Sequence, residues 1–265
     1  MSRVESPSSI NTYKQCPRRY YYRYIEELPS LPSIYLIRGK IVHRVLENFF
    51  DIEKKIDSED GLRVHLFWLL DKTWTENYSK LLELEMDERK LKSYYDESNK
   101  MLQNWFNRFR KKLRNQLENG STFSKAFKHL TPIREEEFVS KKYDVHGFID
   151  AVYEMNDNIM IIDYKTGRKG DMTPEYRLQL GIYALMYEEV KGKKPDVVGI
   201  DFLNHSELMM PVDDYLITEA KREVTLIHTK TTTENIEDYP IKTGPLCKWS
   251  TGQCDYYENC FPGGN

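Results

Sequence analysis

The chain has 265 residues, 40% hydrophobic and 31% charged, which supplies a real core and excludes a disordered chain. Thirty-nine basic against 42 acidic residues leave a net charge of −3, which excludes a bulk polycation but not a local nucleic-acid groove. No apolar run reaches the roughly 18 residues of a membrane span. The N-terminal residues also lack an apolar signal core, so a cytoplasmic protein without membrane contact is expected.

Ser9–Leu28 is predicted as a helix carrying the basic-aromatic stretch CPRRYYYRYI from Cys16 to Ile25, ended by Pro29 and Pro32. Gly39–Lys55 is the next helix, with Ile41, Val42, Val45, Leu46, Phe49, Phe50 and Ile52 on one broad face. Leu62–Leu84 and Leu91–Leu117 are further helices, and residues 57–132 read as a helical insertion. Lys100, Arg108, Arg110, Lys111, Lys112 and Arg114 form a basic run with no acid among them. With Trp105 and Phe109 it reads either as a backbone-tracking, base-stacking DNA surface or as a solvated helix face whose aromatics lie in the core.

The period then changes to that of strands at Ile133–Ser140, Tyr143–Tyr153 and Ile159–Lys165, with a turn at Asp157-Asn158. A helix over Pro174–Val190, strands at Val197–Leu203 and Leu208–Val212, and a helix over Thr218–His228 follow. This order predicts one mixed α/β domain over residues 1–265, with a core at 133–230 in which an antiparallel meander feeds a crossover helix.

On the strand Ile159–Lys165, Asp163 and Lys165 share a face, yet both faces look apolar, so the strand is interior. Buried charge is costly unless paired or bound to metal. A hairpin brings Asp150 opposite Asp163, and two convergent carboxylates suit Mg²⁺ or Mn²⁺. A lysine beside them fits phosphodiester hydrolysis; the plainer reading is an Asp–Lys bridge capping a strand. Gln179 falls near the centre of the apolar arc of its helix and needs polar partners, with Tyr183 one turn further on the same face. His43 lies at the edge of its helix's apolar arc and by position alone is an ordinary boundary histidine. Glu135 and Glu137 share a strand face, and either could approach a metal beside Asp150.

Cys16 stands near the start, and Cys247, Cys254 and Cys260 crowd the end. In a reducing compartment four thiols so placed read as one metal site, which would join the chain ends.

The segments Gly39–His43 (GKIVH), Gly147–Asp150 (GFID), Ile162–Gly167 (IDYKTG) and Gln179–Tyr183 (QLGIY) together resemble a RecB-family nuclease of the PD-(D/E)XK superfamily. Ile149 stands where the superfamily name has proline. CPRRYYYRYI and the cysteine tail resemble the iron–sulfur subset, which includes the CRISPR-associated four-cysteine exonucleases and the AddB-type nuclease domain. The resemblance implies a restriction-endonuclease-like α/β core, a mixed central sheet flanked by helices. It also implies a cysteine-ligated cluster joining segments 1–30 and 240–265: a 4Fe–4S cluster on Cys16, Cys247, Cys254 and Cys260, with zinc as the runner-up.

For the site, the resemblance implies His43 as metal-proximal histidine, and Asp150, Asp163 and the Tyr164 carbonyl as ligands of Mg²⁺ or Mn²⁺. Lys165 becomes the catalytic lysine, Gln179 and Tyr183 complete the site, and Glu137 is an optional member. The implied activity is a DNA exonuclease on single strands or free ends, 5′→3′. The alternatives are a structure-specific or nicking endonuclease, a DNA-binding accessory subunit of a repair or CRISPR-adaptation complex with little activity of its own, and an RNA-processing nuclease.

Overall fold

The computed structural model describes residues 3–52, 56–155, 158–250 and 252–263. Strands β1 (Ile133–Ser140), β2 (Val145–Met155), β3 (Asn158–Lys165), β4 (Val197–Phe202) and β5 (Glu207–Pro211) form one sheet in chain order. β3 and β4 are parallel and the other neighbours antiparallel. A parallel pair needs a crossover, and the helix Pro174–Lys191 makes it. Pro174 sits in that helix's first turn, the Thr173 side chain accepts from the Tyr176 N–H, and Gly192 ends it at a φ of 72°. The expected mixed α/β core is therefore present. The predicted turn at Asp157 falls outside the described residues.

The N-terminal half is helical: α1 (Pro7–Gln15), α2 (Pro17–Tyr20), α3 (Ile34–Asn48), α4 (Glu59–Glu76), α5 (Tyr78–Leu82), α6 (Glu88–Glu118) and α7 (Phe123–His129). We label the crossover helix α8 and the helix Asp214–Lys230 α9. The single helix expected over Ser9–Leu28 is broken at Cys16, which is extended at φ −159°. Pro17 is the cause: it has no N–H to donate, and its ring disfavours a helical residue before it. A π-helical turn, Tyr21–Ile25, follows α2. α3 starts before the predicted Gly39 and stops at Asn48; residues 53–55 of the predicted helix lie outside the described set.

The sheet separates two apolar layers. One face packs Ile149, Val152, Ile161 and Val198 against Leu180, Leu185, Leu216 and Val224 of α8 and α9. The other packs Ala151, Ile162 and Tyr164 against Val42, Leu46, Leu66 and Leu102 of α3, α4 and α6. Trp105 and Phe109 are buried in this second layer, stacked with centroids 5.4 Å apart, so they serve the core and do not offer a base-stacking surface. Much of the basic run on α6 is likewise turned to acids of the fold. Arg108 pairs with Asp201, Lys112 with Glu207 at 2.7 Å, and Arg114 bonds Glu59 through two nitrogens at 2.7 Å each. Arg110 lies 3.9 Å from Glu59 as well. Lys100 lines a shallow groove with Arg89 and Lys92, and Lys111 is exposed.

The expected cysteine cluster is not formed. Among the described residues, the only set of three or more His, Cys, Asp or Glu with ligand atoms all within 4.8 Å of one another is His43, Glu135 and Asp150. All four cysteines are free thiols, and Cys247 spends its S–H on the Lys242 carbonyl at 3.7 Å. Burial raises the Cys254 thiol and pushes Cys260 up to about 11. Neither iron–sulfur nor zinc ligation by these residues carries over. Tyrosines join the ends instead. Tyr20, Tyr21 and Tyr22 pack with Tyr239 and Tyr256, with Cys254 and Cys260 against the cluster. Arg18 donates to the Tyr239 carbonyl at 2.7 Å and Tyr256 to the Leu28 carbonyl at 3.1 Å. Among the described residues no helix is long and apolar enough to cross a membrane.

Asp201, 2% exposed on β4, is pushed up to about 6, by burial above all and against the pull of Arg108. A carboxyl whose folded pKa exceeds its unfolded value binds a proton more readily when folded. Its stabilising contribution is complete below about pH 4 and disappears as pH rises through about 6. The expected loss across that window is about 3 kcal/mol at most. Chemical denaturation of the parent and of Asp201→Asn at several pH values checks this: the substitution should remove that component of the slope.

Candidate active site

The site forms where the strand pattern breaks. Ile149 and Val152 both enter the α8-side core while Ala151 enters the opposite one, so alternation along β2 slips at Asp150. β1 slips at the same level. Phe138 packs in the α8-side core and Glu136 reaches Lys191 at 2.9 Å, but Arg134 turns to Asp51 at 2.8 Å beside the Phe50 ring. Between the pairs Arg134–Ala151 and Glu136–Ile149 stands Glu135, with a left-handed φ of 47°. Such a backbone is costly for a residue with a Cβ and persists where the surroundings impose it. The slip brings Glu135 and Asp150 together with His43 of α3: His43 Nδ1 lies 3.3 Å from Asp150 Oδ1 and 3.9 Å from Glu135 Oε1.

β3 supplies the other half. Ala151 pairs with Ile162, so Asp150 and Asp163 stand at neighbouring positions of adjacent strands. Asp150 Oδ2 accepts the Tyr164 N–H at 2.7 Å. Asp163 is 2% exposed; Gln179 Nε2 donates to its Oδ1 at 2.9 Å, and Lys165 Nζ lies 2.7 Å from its Oδ2. That last contact is an ion pair that holds the second, buried oxygen of the carboxylate. Gln179 Nε2 also donates to the Tyr183 hydroxyl at 2.8 Å, so its two N–H groups bridge Asp163 and Tyr183. A Cβ at Gly147 would meet Met186 Cε at 3.2 Å, Pro7 Cδ at 3.3 Å and Tyr183 Cε1 at 3.6 Å, so α8 and α1 pack closely against β2 at this glycine.

Three carboxylates face one ammonium and one imidazole. Burial alone would lower the His43 pKa; the Asp150 charge and the bonds to Asp150 and Glu135 reverse this and lift it to about 10. Burial opposes ionisation of Asp150, but the His43 charge and bond and the Tyr164 N–H hold it low. Asp163 is raised, by burial above all, with Asp150 adding to it and Lys165 opposing. Burial disfavours the Lys165 ammonium, yet Asp163 and Asp150 outweigh that and raise it. An uncompensated acidic pocket of oxygen donors with one imidazole is the donor chemistry of a hard divalent cation. His43, Glu135 and Asp150 fit that role by spacing. Asp163 lies beside this group, turned to Lys165 and Gln179.

The residues singled out in the sequence thus meet in part. His43, Asp150, Asp163, Lys165, Gln179 and Tyr183 are gathered at one place on four elements, α3, β2, β3 and α8. Glu137 is not: it turns away to His146 at 3.5 Å and is half exposed. The acid sequence reasoning left open is Glu135, and the signal for it was only its shared face with Glu137. The Tyr164 ring is buried near Trp105 and meets His43 edge-on at 6.2 Å.

The family model for the PD-(D/E)XK nuclease superfamily matches residues 5–261. Among curated proteins, a subunit of the ATP-dependent helicase/nuclease from Alkaliphilus oremlandii is 26% identical over 163 residues, 59% of this chain and 12% of the relative. The CRISPR-associated exonuclease Cas4 of Francisella tularensis subsp. novicida is 26% identical over 157 residues, 57% of this chain and 74% of the relative. The chain therefore spans only a small part of the helicase/nuclease relatives. A crystal structure of an exonuclease-named protein from Eubacterium rectale superposes with a TM-score of 0.51 at 14% identity, covering 93% of this chain and 86% of that one, a likeness of fold.

Two outcomes follow for the Glu135 backbone and its charge. Glu135→Gly should weaken Mn²⁺ binding in calorimetric titration by roughly tenfold or more, as expected for a lost ligand. It should also keep or raise stability by about 1 kcal/mol, since glycine tolerates the left-handed φ. Glu137→Gln should change Mn²⁺ affinity less than about twofold. Ligation requires neutral imidazole, and His43 is protonated until about pH 10. Mn²⁺ affinity should therefore rise with pH, at most about tenfold per unit between roughly pH 6 and 9, with a proton released on binding.

Proposed function

Because the chain belongs to the PD-(D/E)XK nuclease superfamily, we propose that it is a divalent-cation-dependent deoxyribonuclease that hydrolyses phosphodiester bonds at single-stranded DNA or DNA ends. The observation that carries the reading is the meeting of the Asp163–Lys165 pair on β3 with His43, Glu135 and Asp150 across adjacent strands. The names of the relatives, a CRISPR-associated exonuclease and helicase/nuclease subunits, favour an exonuclease among the nuclease activities.

A divalent cation on His43, Glu135 and Asp150, with Asp163 alongside, would supply positive charge against the scissile phosphate. The side chains do the rest. Lys165, whose ammonium Asp163 and Asp150 favour, donates to a phosphate oxygen and orients the attacking water. Asp163 fixes the ammonium, and Gln179 fixes Asp163 by holding its other oxygen. Tyr183 keeps Gln179 in place through the second N–H. Stabilising the charge that develops on the phosphate in the transition state is the largest catalytic contribution of such a site. Products with 5′-phosphate and 3′-hydroxyl ends are expected.

Linear single-stranded DNA labelled at either end, a closed single-stranded circle and RNA of the same sequence, each with Mg²⁺ or Mn²⁺, test the reading. The parent should degrade linear DNA and spare the circle, with the two labels reporting polarity. Lys165→Ala should stay folded and lose about 10²–10³-fold in rate. Cleavage of the circle would make the protein an endonuclease, preference for RNA would change the substrate, and a Lys165→Ala protein as active as the parent would end the assignment of this site.

A further inference from the structure

Arg38 is a buried charge that neither the fold nor the proposed chemistry accounts for. It is 2% exposed, on α3, five residues before His43. A guanidinium there is costly unless it is paired and hydrogen-bonded, and here the two Nη groups are bonded while Nε has no hydrogen-bond partner among the described residues. One end of its fork pairs with Glu97 of α6. The other, Nη2, donates to the Thr166 carbonyl at 3.1 Å. Its Cζ lies over the Tyr35 ring at 5.6 Å and over the Tyr94 ring at 5.5 Å from the ring centres, and those rings meet edge-on at 5.8 Å.

Thr166 is the residue at which the chain leaves β3, directly after Lys165. The carbonyls there are held from the other side too. Leu203 donates to the Lys165 carbonyl at 3.0 Å, and Asn204 to those of Thr166 at 3.3 Å and Gly167 at 3.0 Å. Glu97 completes the link by lying 3.5 Å from Arg168. A Cβ at Gly39 would lie 3.5 Å from Thr166 Oγ1, so α3 and the strand end are in van der Waals contact beside the guanidinium.

We propose that Arg38 is a positioning residue: it locks the helix that carries His43 to the strand end that carries Lys165, with Glu97 of α6 as its counter-charge. The inference rests on the nuclease reading for its catalytic consequence and not for its structural one. Lysine cannot substitute, because a single ammonium cannot span Glu97 and the Thr166 carbonyl with fixed directions. The loss should therefore fall on placement of the reacting groups and not on substrate affinity.

The test compares Arg38→Lys, Arg38→Gln and Glu97→Gln with the parent by steady-state kinetics on linear single-stranded DNA and by amide hydrogen exchange. Arg38→Lys and Glu97→Gln are expected to lower kcat at least tenfold with KM within about threefold. Exchange should quicken in the peptide spanning 164–170 and at the Leu203 amide, with α9 unchanged. If Arg38→Gln fails to fold, the other two decide. Folded Arg38→Lys and Glu97→Gln proteins with parental kcat and parental exchange at 164–170 would overturn the proposal. Loss of stability with parental kcat, measured where both proteins are fully folded, would reduce Arg38 to a packing role and overturn it equally. Should the parent cleave no nucleic acid with any cation, the nuclease reading falls, and the exchange data still judge the lock.

Discussion

The crowding of Glu135, Asp150 and Asp163 at one level of the sheet is the constraint on which the site depends. Mutual repulsion and burial both work against three carboxylates so close, and Lys165, a protonated His43 and the Tyr164 N–H oppose them. The arrangement survives because the backbone imposes it. β1 and β2 slip together, Glu135 takes a left-handed φ, and the Tyr164 N–H and Gln179 each grip a carboxylate. Strain and repulsion concentrated at one place, with rigid apolar layers above and below, are what a cation-binding site needs before the cation arrives.

Much of this was legible in the residues. Alternation along Ile159–Lys165 shows an Asp–Lys pair stranded on a buried strand, and the wheel of α8 shows a glutamine where an apolar residue belongs. Both anomalies resolve into the same hydrogen-bonded group. The choice between Glu135 and Glu137 was not legible, because strict alternation gives them one face. What separates them is the position of His43 on α3, which stands beside Glu135 while Glu137 meets His146, and the local sequence does not show that. The break at Cys16 was written in the Pro17 that follows it, and the helix expectation passed over it.

One pattern misled and another was left open for a shared reason: a sequence shows which groups are close along the chain, not what they face. The basic run of α6 looks unpaired because its acids, Asp201, Glu207 and Glu59, come from strands and helices far away in number. The cysteines look like a ligand set because they gather at the two ends, yet their sulfurs do not converge at ligand distances. Aromatic packing does the joining there. α6 gains a different importance: through Glu97 at one turn and Arg108 and Lys112 further on, one helix grips α3, β4 and β5.

The tyrosine cluster has a consequence for how the molecule comes into being. Tyr20, Tyr21 and Tyr22 find their partners more than 200 positions later, at Tyr239 and Tyr256. Contacts so remote close late, after the entropy of a very long loop has been met. During synthesis Tyr20, Tyr21 and Tyr22 therefore wait for these partners while the sheet assembles, and the nascent chain carries a sticky, unsatisfied segment until Tyr239 and Tyr256 emerge.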